Sequence, residues 1–467
     1  MKFSDFSVLG LGALALNAVT VSANTADTAL LRTYSTISPS LSEIEATASS
    51  TEVAEVVSDV EGAAFKRFFI IFLENTDYDK AAGDESLSWL AEQGITLTNY
   101  WALTHPSEPN YLASVGGDYF ALDDDRFISM PSNVSNIVDL LDTKSISWAE
   151  YQEHSPYAGF QGFNFSNQET YANDYVRKHN PLILFDNIVN NDTRLANIKN
   201  FEDFDNDVKN QKLPQYAFIT PNMTNDGHDT TIQFAGKWSK DFLAPLLEND
   251  YFMEDTLVLL TFDENETYGI KNKVFSILLG GVIPDELKGT KDDTFYDHYS
   301  QLASVEANWD LPHLGRHDVD ANVLEIVANA TNITNVEVDT TYMMNNETYI
   351  GYLNDYNIEL PAPNVTAINR NGQPILDSIK ETWEEEYSKQ VSESYYTSTT
   401  TTVSADVTDA ETFSISTATD SADETSATAT SSSNSTSAET LSSSAGAPSL
   451  NTFSGNVLLG VIAALFL

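Results

Sequence analysis

The chain has 467 residues, 42% of them hydrophobic, with 24 Phe, 21 Tyr and no cysteine. That length supports a large apolar core, and the missing cysteines exclude disulfides, thiol catalysis and cysteine–metal sites. Lys and Arg number 23 against 69 Asp and Glu, a formal net charge of −46, which argues against nucleic-acid binding because that needs basic surface to displace counterions.

Residues 1–23 read as a secretory signal peptide: Lys2 supplies a positive start, residues 8–21 are mostly small and apolar, and Val21-Ser22-Ala23 is a cleavage signature. Residues 24–62, rich in Ser, Thr, Ala and Glu, are expected to be a flexible extension or propeptide. Residues 63–387 hold every Trp and nearly every long apolar run, so the folded domain is placed there. Its first apolar run is Phe68-Phe69-Ile70-Ile71-Phe72-Leu73, followed at once by Glu74-Asn75. A helix is predicted over 86–93, with Gly94 just past its end. Further strands are predicted at 95–97, 145–148, 216–220 and 273–279, and a second greasy run at 256–262 leads directly into Asp263-Glu264. Short apolar runs bounded by polar residues and alternating with helical patterns predict an α/β fold with a mostly parallel sheet buried on both faces.

Beyond the domain, residues 388–456 are dominated by Ser and Thr, with no Lys or Arg after Lys389, and read as an O-glycosylated stalk. Residues 457–467 form an apolar tail behind a polar spacer and a small-residue patch, the layout of a GPI-anchor signal. Asn-x-Ser/Thr sequons stand at Asn133, Asn164, Asn191, Asn222, Asn265, Asn329, Asn332, Asn346, Asn364 and Asn434. With a signal peptide, they describe a product carrying N- and O-linked glycans, secreted or held at the cell surface or cell wall through a lipid anchor.

The candidate chemistry lies where strands end, because ligands of open α/β sheets bind beyond the carboxyl ends of the strands. Glu74 and Asn75 offer one carboxylate and one amide oxygen, and Asp263 and Glu264 offer two carboxylates. Such oxygens suit a hard divalent cation. Between them in sequence lies Thr104-His105-Pro106-Ser107-Glu108-Pro109-Asn110-Tyr111. Pro109 favours a first helical turn, and Gly116-Gly117 would end that helix. Ser107 at its start reads as a nucleophile beside the cation, as a helix cap, or as both. Free amides and the helix dipole at that start would favour phosphate. His179, in Arg177-Lys178-His179-Asn180-Pro181, His228, in Asn225-Asp226-Gly227-His228-Asp229, and His298, in Tyr296-Asp297-His298, all occupy turn-like segments. A protonated histidine there would neutralise a phosphoryl group or protonate a leaving alkoxide.

In this order, Glu74-Asn75, His105-Pro106-Ser107-Glu108-Pro109-Asn110-Tyr111, Lys178-His179-Asn180-Pro181, Asn225-Asp226-Gly227-His228-Asp229 and Phe262-Asp263-Glu264 resemble the phosphoesterase family. That family includes fungal secreted acid phosphatases and bacterial phospholipases C, within the alkaline phosphatase-like superfamily. The resemblance implies an α/β/α sandwich, with Ser107 forming a phosphoserine. It implies one divalent metal held by Glu74, Asn75, Ser107, Asp263 and Glu264. His179 and His228 would contact phosphate or leaving group, and His298 falls where two-metal relatives place a ligand. Glu264 stands where those relatives carry His, so one metal is expected. The reading that results is an acid phosphatase acting on small phosphorylated substrates. The alternatives are a phosphodiesterase or phospholipase C of the same family, or a non-enzymatic cell-wall glycoprotein.

Overall fold

The structure is a computed structural model that describes residues 39–403 apart from 52, 55 and 56, with side chains described as far as 392. The signal peptide, the stalk beyond 403, the sequon at Asn434 and the anchor tail lie outside the described residues.

Nine strands form one sheet: β1 (Arg67–Leu73), β2 (Ile95–Trp101), β3 (Trp148–Gln152), β4 (Ile198–Asn200), β5 (Tyr216–Thr220), β6 (Thr256–Phe262), β7 (Lys273–Leu279), β8 (Thr290–Asp292) and β9 (Tyr296–Asp297). Their order is β8-β2-β7-β6-β1-β5-β3-β4, with β9 also beside β2. The block β6, β1, β5, β3 and β4 is parallel throughout. β7 alone opposes its neighbours, running antiparallel to both β6 and β2. The carboxyl ends of β1, β5 and β6 therefore emerge side by side at one edge.

The strand expected at 145–148 begins later. Helix Ile137–Asp142 runs into a turn through Thr143 and Lys144, and Ser145 sits at φ +54°, so the extended chain starts only at Trp148.

Side chains alternate across β1, and its two faces meet different helices. Phe68 stacks on Phe65, which packs edge-on to Trp309, and Phe72 packs on Tyr111, so the even face meets helices Ser107–Gly116 and Tyr299–Trp309. Phe69 packs on Phe252 of Asp250–Met253, beside helix Ile232–Leu247, on the odd face. Both faces are sealed: β1 from Phe68 to Leu73 and all of β5 and β6 are buried. The result is the expected α/β/α sandwich.

The borders of the domain carry more structure than composition implied. Residues 41–48, inside the stretch expected to be flexible, form a helix whose Ile44 is buried with Phe160 and Tyr175. Ser58 Oγ donates to Gln215 Oε1 at 2.6 Å and lies 2.9 Å from Ser147 Oγ, tying the extension to the domain. At the other border, helix Asp377–Val403 continues through residue 387, and its buried Ile379 and Trp383 join the main core.

Candidate active site at the carboxyl edge of the sheet

Three strand ends and one helix start converge on a buried cluster. β1 delivers Glu74, fully buried, and Asn75, whose φ of +44° lies in a left-handed region that Asn tolerates better than most residues. β6 delivers Asp263 and Glu264, both buried, with Asp263 N donating to Leu73 O at 3.0 Å, so the two strand ends stay in register. The loop after β5 delivers Asp226, whose carbonyl accepts Glu74 N at 2.9 Å. Gly227 turns that loop at φ +102°, and a Cβ there would stand 3.3 Å from the Ala235 Cβ.

Ser107 is the first residue of helix Ser107–Gly116, and Pro106 occupies the cap position. The cap reading of Ser107 is thereby corrected. Its hydroxyl, 2% exposed, donates instead to Glu74 Oε2 at 3.2 Å. The expectation that this helix start offers its amides to phosphate is narrowed too. Glu108 N is spent on Asp125 Oδ1 at 3.0 Å, and Pro109 has no amide hydrogen.

Glu74 is the hub. Its Oε2 takes the Ser107 hydroxyl and, at 3.3 Å, the Asn75 amide, while its Oε1 takes the Tyr111 hydroxyl. The His179 Nε2 lies 3.4 Å from that same Oε1. Asn75 N donates to Asp263 Oδ1 at 3.2 Å. Tyr111 also stacks on His179, with ring centroids 5.0 Å apart and planes at 12°. Burial pushes the Glu74 carboxyl well above the usual carboxylate range, and the Asp263 and Asp226 charges push further; Lys178 and the Tyr111 hydroxyl oppose them. Burial likewise raises Asp226, Asp263 and Glu264. Excess negative charge is thus packed into a dry place, and Asp226 Oδ2 and Asp263 Oδ2 have no hydrogen-bond partner. A cation is what such a cluster lacks.

The three expected histidines are not equivalent. His179 is 2% exposed and lies between Glu74 and Asp226, its Nδ1 3.6 Å from Asp226 Oδ2. Burial, with Lys178 and His228 behind it, holds its pKa well below the usual imidazole value, so it stays neutral. His228 is half-buried at the mouth: Nδ1 lies 2.9 Å from Asp229 Oδ1 and Nε2 3.4 Å from the Lys178 ammonium. Glu74, His179 and His228 each bring one ligating atom within 4.8 Å of the others. His298 stands behind the cluster rather than in it. It is fully buried, its Nε2 meets the backbone carbonyl of Asp263 at 2.7 Å, and its Nδ1 faces Tyr100 and Gln301, each at 3.4 Å.

Several members escaped the sequence reading. Asp226 was inside a quoted motif, but nothing in its spacing separated it from Asp229. Tyr111 looked like helix continuation. His105 pairs with Glu264, Nδ1 to Oε2 at 2.7 Å, across 159 residues of sequence, a partnership no local pattern encodes. Lys178, which the sequence did offer as a phosphate holder or a surface residue, reaches Asp125 Oδ2 at 2.9 Å, which keeps a positive charge at the mouth of an acidic site.

Buried carboxylate oxygens beside a hydroxyl are donors of the kind that hard cations take. The phosphoesterase family profile matches residues 84–312, a span that contains Ser107, His179, His228, Asp263, Glu264 and His298. A probable acid phosphatase of Kluyveromyces lactis is 97% identical over 414 residues, covering 89% of this chain and 98% of the relative. An acid phosphatase of Aspergillus fumigatus is 61% identical over 352 residues, covering 74% and 78% respectively. Among solved structures, a protein in the alkaline phosphatase superfamily from Vibrio parahaemolyticus aligns with a TM-score of 0.36 at 10% identity, covering 56% of this chain and 73% of that one. The chain belongs to the phosphoesterase family.

Proposed function

We propose that this chain is an acid phosphatase: a phosphoric monoester hydrolase that works through a phosphoserine on Ser107 with the help of one divalent cation. The observation that carries the reading is the Ser107 hydroxyl hydrogen-bonded to Glu74 at the meeting point of three strand ends. The buried, underpartnered oxygens fit a cation. Glu74, Asn75, Ser107, Asp263 and Glu264 would hold it, with Asp226 adding charge from the far side. A bound divalent cation supplies positive charge that lowers the serine's pKa and polarises a phosphoryl oxygen.

The chain's own groups do the rest. The Ser107 oxygen attacks phosphorus as its proton passes to Glu74 Oε2, which the hydroxyl already faces at 3.2 Å. The bond from phosphorus to the leaving oxygen breaks, and His228, at the mouth, gives that oxygen its proton. Water then attacks phosphorus and gives a proton back to His228, the bond to the Ser107 oxygen breaks, and that oxygen takes back the proton held by Glu74 as inorganic phosphate leaves. Neutral His179, stacked on Tyr111, carries one N–H, which orients Glu74 at rest and would be given to phosphate when substrate binds. Lys178 offsets the repulsion that the chain's net charge would exert on an anionic substrate. His298 holds the Asp263 backbone and acts through position alone.

Mass spectrometry of acid-quenched enzyme after incubation with substrate tests this directly. Phosphate is expected on Ser107; its absence under turnover sinks the serine intermediate. Faster hydrolysis of bis-p-nitrophenyl phosphate than of p-nitrophenyl phosphate would move the assignment to the phosphodiesterase alternative. Metal analysis of the same sample is expected to give about one equivalent of a hard divalent ion.

Secretion, glycosylation and lipid anchoring complete the proposal. Among the described residues no helix is long and apolar enough to cross a membrane. Asn133, Asn191, Asn329, Asn332 and Asn364 are exposed and open to glycans. Asn222 and Asn265 are not. Asn265 is fully buried, with its amide spent on Thr267 O at 3.0 Å, and Asn222 is 4% exposed with its amide on His154.

A further inference from the structure

An exposed aromatic ring is held at the mouth of the site. Tyr268 is 53% exposed, yet its ring lies flat on His105, with centroids 3.8 Å apart and planes at 20°. His105 is the residue that reaches Glu264, and it stands two positions before Ser107. The charges that act on the Tyr268 phenol are those of Glu264, Asp125, Asp263 and Lys178, which line the site itself.

The loop that carries this ring is pinned. Thr267 N and Oγ1 donate to the two Asp77 oxygens at 2.8 and 2.9 Å. Asn265 N donates to Asn272 Oδ1 at 2.9 Å. The Asn346 amide donates to both Tyr268 O and Ile270 O, at 2.5 and 2.7 Å. Ile270 and Met344, both exposed, extend the apolar surface beside it. A flat ring with one face against an imidazole and the other in water is a ready platform for a second ring, because offset stacking adds attraction beyond simple area burial. Being held in place, it costs little ordering entropy on binding.

Resting on the reading of the site as a phosphate monoesterase, we propose that Tyr268 is a specificity-determining residue. Its outer face carries the leaving group of aryl phosphate monoesters while their phosphoryl group meets Ser107.

The test compares phenyl phosphate with methyl phosphate, and phenylphosphonate with methylphosphonate as inhibitors, on the full chain and on Tyr268→Ala, Tyr268→Leu and Tyr268→Trp. In Tyr268→Ala the phenyl-to-methyl ratio of kcat/KM is expected to fall about fivefold, through KM rather than kcat. The inhibition constant of phenylphosphonate should rise by a similar factor and that of methylphosphonate by less than half as much. Tyr268→Trp should restore the ratio. Tyr268→Leu keeps apolar bulk over His105 without a flat face, so it should show the same fall and covers the case in which the alanine variant does not fold. An unchanged ratio overturns the proposal. Equal losses on both substrates also overturn it, since the ring would then be a cover for the His105–Glu264 pair. If the native chain turns over neither monoester, the reading of the site fails separately, and the two phosphonates still decide Tyr268.

Discussion

Two groups of buried carboxylates in this molecule differ in how many carboxyls they bring together. Under helix Tyr299–Trp309, Asp318 accepts Leu314 N at 2.6 Å and Arg316 N at 2.8 Å, and the neighbouring Glu306 accepts the Asn369 amide at 3.0 Å. Burial and the Asp318 charge hold Glu306 well above the usual carboxylate range, so it keeps a proton, although its Oε1 has no partner. One proton is enough to relieve that pair. At the carboxyl edge of the sheet, Glu74, Asp226, Asp263 and Glu264 are just as buried, but four carboxyls meet there rather than two, and Asp226 Oδ2 and Asp263 Oδ2 have no donor. The residue types are the same in both places. Backbone donors and one retained proton relieve a pair, whereas a cluster of four gathers more charge than one proton removes and suits a cation that binds.

The largest effect that would break this contrast is at the serine. Ser107→Ala should lower kcat on p-nitrophenyl phosphate by about 10⁴-fold or more, as loss of a covalent nucleophile does elsewhere. Residual activity of a few per cent would mean that the hydroxyl is only a hydrogen-bond donor to Glu74.

Next in size is a pair of substitutions read side by side. Asp263→Asn should cost about 10³-fold in kcat/KM, a loss comparable to removing a key electrostatic group. In the presence of chelator it should leave the melting temperature unchanged or higher, because a desolvated charge is gone. Asp318→Ala should do the reverse, costing about 3 kcal/mol of stability by stranding its buried donors. Its kcat/KM should stay within about fivefold. Thermal melts and steady-state rates on both variants check this, and similar stability losses in the two would erase the distinction. Chelation should then lower the melting temperature of the native chain and not of Asp263→Asn. A ligand present at 1,000 times its Kd contributes about 4 kcal/mol.

What could be read from the sequence follows the same division. The sheet was legible because its central strands are buried on both faces and so are written as unbroken apolar runs, as at Phe68 to Leu73 and Thr256 to Phe262. The site was legible where a strand end hands directly to an acidic pair. It was not legible where the partner arrives from far along the chain. His105 finds Glu264, Tyr111 finds Glu74 and Thr267 finds Asp77 only after folding. The setting of His298 was hidden for a related reason: a polar residue in a turn looks available, but its ring turns inward to a backbone carbonyl. The strand at 148–152 was displaced because Ser145 takes a left-handed turn that its side chain does not announce.

A third buried acid, Glu150 on β3, sharpens the contrast because it belongs to neither group. It is fully buried, its Oε1 accepts Leu182 N at 2.8 Å, and its Oε2 has no partner. Burial pushes its pKa up from 4.5 to about 8. Below the unfolded value both states carry the proton, and Glu150 does not affect stability. As pH rises past it, the unfolded chain gives up a proton that the folded chain keeps, so stability falls, and it levels off only above the folded value. This group therefore favours the fold in acid. Glu150→Gln keeps the bond to Leu182 and removes the titration. The variant should melt at the native temperature near pH 4 and several degrees higher near pH 8, at about 2–4 °C for each kcal/mol in a domain of this size. Calorimetry at the two pH values measures the gap. A gap of the same size at both would show that Glu150 ionises normally inside the fold, and that an unpartnered buried carboxylate is tolerated here without either a proton or a cation.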